Sequence, residues 1–196
     1  MRRSSSTVVV VAGERAGDVV AGLDGLHNVR ALVRGDAPHA EFAALVGRAG
    51  GTYVVHDDDP LAAVRDAWTA FFDGASAPGP LEVAVEEALA ALRADRVQLP
   101  DYYVVLDPEE LPGTVRHWWL GVLAGAAPAR VVPAPSSPPR VAAELGRLSP
   151  GRWWPDDLAS WLRELPRTVP DRAGLPAGQP APPVSSPPVS SGTRCR

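Results

Sequence analysis

The sequence predicts a three-layer α/β fold, a doubly wound and mainly parallel five-stranded sheet with helices on both faces. Three observations carry that expectation. Five short β-rich runs recur along the chain with room for a helix between them. Several of these runs are apolar without alternation, as strands covered on both faces are. The intervening segments repeat apolar residues at helical spacing, the pattern of parallel βαβ units.

Strands are expected at 7–13 (TVVVVAG), 28–33 (NVRALV), 52–57 (TYVVHD), 101–107 (DYYVVLD) and 129–134 (ARVVPA). The first follows the basic start MRRSSS, but Glu14 and Arg15 interrupt its apolar run too early for an export signal. Phe42, Leu45, Val46 and Ala49 follow the i, i+3, i+4, i+7 spacing of a helix, and Leu61, Val64, Trp68, Phe71 and Phe72 mark another. After the breaker GASAPGP, Leu81, Val85, Leu89 and Leu92 form a further stripe, so two helices separate the third and fourth strands. Val115, Trp118, Trp119, Val122 and Leu123 place both tryptophans of RHWW on one apolar face. Gly121, Ala124 and Gly125 would let that helix approach the sheet closely, and Pro128 ends it. Val141, Leu145 and Leu148 mark the next helix, and Leu158, Trp161, Leu162 and Leu165 the last, which opens on the acids of SPGRWWPDD.

The order β-α-β-α-β-α-α-β-α-β-α-α is that of a Rossmann-like or flavodoxin-like domain, whose strand orders one sequence does not separate. The domain is expected to occupy residues 1–169. From 170 to 196 the composition turns to Pro, Ser, Gly and Ala, with the immediate repeat PPVSSPPVSS at 182–191. Such a segment has too little apolar surface to repay ordering and is expected to form a flexible tail.

The 196 residues are 45% hydrophobic and 21% charged, a balance that supports a buried core. A net charge of −4 makes nucleic acid an unfavourable partner. All the basic residues are Arg, Lys and Ile are absent, and Asn28 is the single Asn. Codons for these rare residues are AT-rich, so the chain reads as the product of a high-GC bacterium. The absence of Lys removes P-loop phosphate binding and Schiff-base chemistry. Cys195, the only cysteine, permits no intrachain disulfide. With no apolar run of about 20 residues, the expected location is cytoplasmic, with no membrane partner.

In open α/β sheets, ligands bind at the carboxyl ends of the strands, where the winding reverses. Three loops are thereby selected. After the first strand, Gly13 and Arg15 could cradle a phosphate, although Glu14 and Asp18 would oppose an anion and no dinucleotide fingerprint is present. After the third, Asp57, Asp58 and Asp59 could hold Mg²⁺ together with Asp107. Asp59-Pro60 and Asp107-Pro108 equally suit N-cap and first-turn positions of helices. After the fourth come Glu109, Glu110, Gly113, Thr114, Arg116 and His117. Arg116 is a potential anion ligand and His117 a potential acid or base. His56 is a second acid/base candidate, whereas His27 and His39 fit loops or the surface.

The run from DYYVVLDPEE through PGTVRHWWLGVLAGAAPARVV (101–134) resembles nucleoside deoxyribosyltransferase-like and TIR-like Rossmannoid domains in its strand, acidic loop, Gly-Thr turn and small-residue helix. The resemblance implies a crevice of nucleotide scale. In the deoxyribosyltransferases the helix after that turn carries a nucleophilic Glu; here Arg116-His117-Trp118 stand at that place, and Glu109 and Glu110 precede the turn.

Three functions are consistent with these readings. The favoured one is a regulatory or sensor module that binds a nucleotide-like ligand or a protein partner. A second is an enzyme acting on a nucleotide or its N-glycosidic bond, with Asp107, Glu109 or Glu110 as acid or nucleophile and Arg116 and His117 placing the substrate. A third is a non-catalytic interaction module using Trp153, Trp154 and the Pro-rich tail. No particular cofactor is implied.

Overall fold

The structure, a computed structural model, describes residues 6–126, 128–149 and 154–168. Trp153 and the expected tail at 170–196 lie outside these residues. All five predicted strands form, each trimmed at its ends: β1 (Thr7–Ala12), β2 (Val29–Leu32), β3 (Tyr53–His56), β4 (Tyr102–Leu106) and β5 (Val131–Ala134). They make one parallel sheet in the order β2-β3-β1-β4-β5. The order left open by the sequence thus has β3 between β2 and β1, where the Rossmann arrangement runs 3-2-1 and the flavodoxin arrangement 2-1-3.

Alternation along the strands sends side chains to two separate cores. Val10, Ala12, Tyr103, Val105 and Val131 pack beneath α3 (Ala62–Phe72), α4 (Pro78–Arg93) and the segment around Trp118 and Trp119. Leu32 and Val54 join Phe42 and Val46 of α2 (His39–Arg48). On the opposite face, Val9, Val11, Tyr102, Val104 and Leu106 meet Val19, Val20, Val141 and Leu145 of α1 (Ala16–Ala21) and α7 (Pro138–Leu145). The step from β1 to β2 runs along the sheet in one direction and the later steps run in the other. A single crossover hand therefore places α1 on one face and α2, α3 and α4 on the other.

The helix carrying RHWW differs from a plain α-helix. It runs as α5 (Gly113–His117), a π-helical segment (Trp118–Leu123) and α6 (Ala124–Ala126). The predicted stripe still faces the core, with Trp118, Trp119, Val122 and Leu123 all buried. The close approach expected of Gly121 and Gly125 to the sheet is not what is found. A Cβ at Gly121 would lie 2.5 Å from the His117 ring, and Gly125 faces open space.

The last helix, α8 (Leu158–Glu164), begins as its acids predict: Asp157 Oδ1 accepts the Ser160 N–H at 2.9 Å. Trp154 packs edge-on against Trp161 and donates its indole N–H to Pro100 O at 2.8 Å, closing the core beneath this helix. Among the described residues, no helix is long and apolar enough to cross a membrane.

Candidate functional site at the carboxyl edge of the sheet

Because every strand is parallel, the loops after β1, β3 and β4 leave from one edge of the sheet, and the order β3-β1-β4 makes them neighbours. At β3 the run His56–Asp59 turns inward. His56, only 4% exposed, accepts the Asp58 N–H through Nδ1 at 3.3 Å and packs edge-on against Phe42. Burial lowers its pKa to about 4, so the ring is neutral at physiological pH. A neutral ring acting as acceptor to the backbone is a structural part of the turn.

The three aspartates diverge. Asp57 accepts the Arg34 N–H at 2.8 Å, fastening the β3 end to the β2 end. Asp58 lies 3.0 Å from Arg34 Nε and 2.8 Å from His39 Nδ1. Asp59 accepts from Leu61 N–H at 3.0 Å, from the Tyr103 hydroxyl at 3.0 Å and from Arg65 at 3.1 Å. Burial pushes the Asp59 carboxyl up, opposed chiefly by Arg65, and pushes the Tyr103 hydroxyl up as well. Regular α3 begins only at Ala62, but the Asp59 carboxylate still accepts the Leu61 N–H two residues on, after Pro60, as a cap does, and it bridges to Arg65 and to Tyr103 of β4 as well.

Asp107, at the end of β4, adopts a left-handed backbone (φ 41°) and precedes a single 3₁₀ turn, Pro108–Glu110. Its side chain makes no capping bond to that turn. It accepts the Ser136 N–H at 3.1 and 3.2 Å, tying β4 to the loop before α7. β1 separates Asp107 from Asp57 and Asp58, two strand spacings or about 10 Å. Among the described residues, no three His, Cys, Asp or Glu side chains are grouped to hold a metal ion.

The Gly113–His117 segment is drawn toward α3. Buried Thr114 donates its hydroxyl to Asp73 Oδ1 at 2.5 Å, and the His117 ring stacks on Trp68 at 6.1 Å between centroids. Arg116 is half-buried, and its guanidinium has no hydrogen-bond or ion-pair partner among the described residues. Glu109 and Glu110 are exposed. In the β1 turn, Gly13 has φ 138° and its Cα faces Leu106; a Cβ would stand 2.9 Å from that side chain. Only glycine fits such a backbone so close to β4. The turn leaves Arg15 exposed, its guanidinium likewise unpaired among the described residues.

Sequence reasoning selected the aspartates and Thr114 but missed their partners: Arg34, Arg65 and Tyr103 for the aspartates and Asp73 for Thr114. Tyr103 carries a usable signal, since its parity in β4 points it to the same face as Val10 and the α3 helix. Arg34 and Asp73 sit at element ends, where spacing says nothing about direction. No protein-family model, no curated protein and no solved structure matches this chain.

Proposed function

We propose that the domain is a regulatory or sensor module that binds a nucleotide-like anion beside the Gly13–Arg15 turn without transforming it. One observation carries the reading. Asp57, Asp58, Asp59 and Asp107, the carboxylates best placed for acid/base or metal chemistry, are each held by an internal donor. At the same edge Arg15 keeps an unengaged guanidinium. The position supports it too: the chain leaves β1 for one face of the sheet and leaves β3 and β4 for the other, the kind of switch point beside which open α/β sheets bind ligands. Arg15 suits a phosphate.

The test is a thermal-shift titration of the full chain with ATP, NAD and inorganic phosphate. A saturable rise is expected with the nucleotides, equivalent to about 2.7 kcal/mol at a hundredfold excess over Kd, and Arg15→Ala should abolish it. No shift with any nucleotide would reject the ligand, and turnover of a bound nucleotide would reject the non-catalytic assignment.

A further inference from the structure

Only one of the two sheet edges is closed to a further strand. At β5 the Ala134 carbonyl turns inward to accept the Asp107 N–H at 2.9 Å, so the neighbouring outward position falls on Pro133, which has no N–H to offer. At β2 the Asn28 carbonyl accepts the Tyr53 N–H at 3.0 Å, and the Arg34 N–H reaches Asp57 at 2.8 Å. Even positions from 28 to 34 therefore face β3, and Val29, Ala31 and Val33 turn their backbone groups outward. The Val29 N–H is taken by Leu26 O at 3.2 Å. The N–H and C=O of Ala31, the N–H of Val33 and the C=O of Val29 are left as an open template.

Apolar surface gathers at the same edge. Among the described residues, three of the five large hydrophobic side chains left exposed are Leu26 and Val33, which flank β2, and Leu45 of α2, which is 43% exposed. Phe42 and Val46 set α2 on the sheet, and the helix runs antiparallel to β2. Its right-handed turn then puts Ala43 on the flank toward β1 and Leu45 on the flank over the free edge. Ala43 is accordingly buried. Glu41 and Arg48, four residues before and three after Leu45, share its stripe. Both are exposed, and neither has an ion-pair partner among the described residues.

We propose that two copies of this chain join through β2, merging their five-stranded sheets into one. Antiparallel pairing about a two-fold axis at Ala31 matches the open groups. The two Ala31 residues exchange N–H and C=O, and each Val33 N–H meets the Val29 C=O of the other copy. On one face Val29 lies across from Val33; on the other the Arg30 stem lies across from Leu32. The same axis sets α2 antiparallel to its mate. Each helix lies astride β2 and β3, over Leu32 and Val54, so the two axes stand about 10 Å apart, two strand spacings and close to the distance of packed helices. Leu32, beside the axis, shares a cluster with Phe42 and Val46, whose levels bracket Leu45. Leu45 therefore faces Leu45, and each Glu41 faces the Arg48 of the other copy. A contact of one short strand and one helix flank is small, so the dimer separates on dilution. This inference is independent of the ligand reading above.

The test is sedimentation velocity of the full chain from dilute to millimolar concentration. Wild type is expected to pass reversibly from monomer to dimer. Glu41→Arg and Arg48→Glu should each weaken association about tenfold, because each brings like charges together at both ends of the helix pair. An equimolar mixture of the two variants restores opposite charges at both ends and should dimerise again. Leu45→Cys in a Cys195→Ser background should oxidise to a covalent dimer, whereas Val83→Cys, at an exposed position of α4, should not. A wild type that stays monomeric throughout would overturn the proposal. So would a dimer indifferent to both charge reversals, or a mixture no tighter than its parts, either of which places the contact on another surface.

Discussion

His56 and Asp59 stand three residues apart in the carboxyl-edge loop, yet burial drives them to opposite dependences on pH. The folded-state pKa of His56, about 4, lies below its ordinary 6.5. Between those values the unfolded chain binds more protons, so the His56 contribution is full above about pH 6.5 and is lost as pH falls through about 4. The loss is on the order of 3 kcal/mol. Asp59, whose carboxyl is raised by burial, acts in the opposite sense: above its ordinary value of 3.8 its contribution falls as pH rises. Urea unfolding of wild type and His56→Gln between pH 4 and 7 separates the two. The wild type should lose more stability than the variant on acidification, and parallel curves would show that His56 does not titrate out of a buried neutral form. Removing Arg65 strands the Asp59 charge, so Arg65→Met should cost about 3 kcal/mol at pH 7. Adding Asp59→Asn to that variant should cost less than Asp59→Asn costs alone, and strictly additive losses in a double-mutant cycle would deny the coupling. The aspartates were legible in the sequence as an unusual acidic run at a strand end. That they are consumed by Arg34, His39, Arg65 and Tyr103 was not, because those partners come from the loop after β2 and from α2, α3 and β4, and nothing in local spacing aims them.

At the scale of the element, the RHWW helix shows what hydrophobic periodicity reports. The stripe located the buried face because Trp118, Trp119, Val122 and Leu123 remain on the core side under either helical geometry. It was silent on the π-helical turn, whose extra residue per turn leaves the apolar pattern intact. The same turn gives Gly121 its role. Three ring atoms of His117 lie 2.5 to 2.8 Å from the place of a Gly121 Cβ, and that ring stacks on Trp68. In an ordinary helix, replacing Gly by Ala gains about 1 kcal/mol. Here Gly121→Ala must expel the ring, so the gain should vanish or reverse by up to about 1 kcal/mol. In a His117→Ala background the obstacle is gone, and Gly121→Ala should stabilise by about 1 kcal/mol. Thermal unfolding of the four proteins reads this change of sign; an equal gain in both backgrounds would show that the ring moves aside at no cost.

For the molecule as a whole, the sequence made the α/β class legible because continuous Val-rich runs and intervening helical stripes have few other solutions. Strand order was not legible, since it depends on where each crossover lands, and β2-β3-β1-β4-β5 uses the same run of elements as other doubly wound orders. That order has a measurable consequence for cooperativity. β1 and β4 have a strand on each side and helices on both faces, and Val9, Val10, Val11, Tyr103, Val104 and Val105 are completely buried. β2 pairs on one side only, with Arg30 exposed, and the other edge strand contains Pro133, which has no N–H to donate. Edge strands can open without breaking the central pair, whereas the central pair cannot open without dissolving both cores. Native-state hydrogen exchange should therefore place the β1 and β4 amides at the free energy of global unfolding and those of Arg30 and Ala31 a few kcal/mol lower. If the β2 amides exchanged only with global unfolding, the α2 core of Leu32, Phe42, Val46 and Val54 would be as cooperative as the centre of the sheet. In that event the edge would not be a separate unit, and stability would have to be assigned to the sheet as one piece.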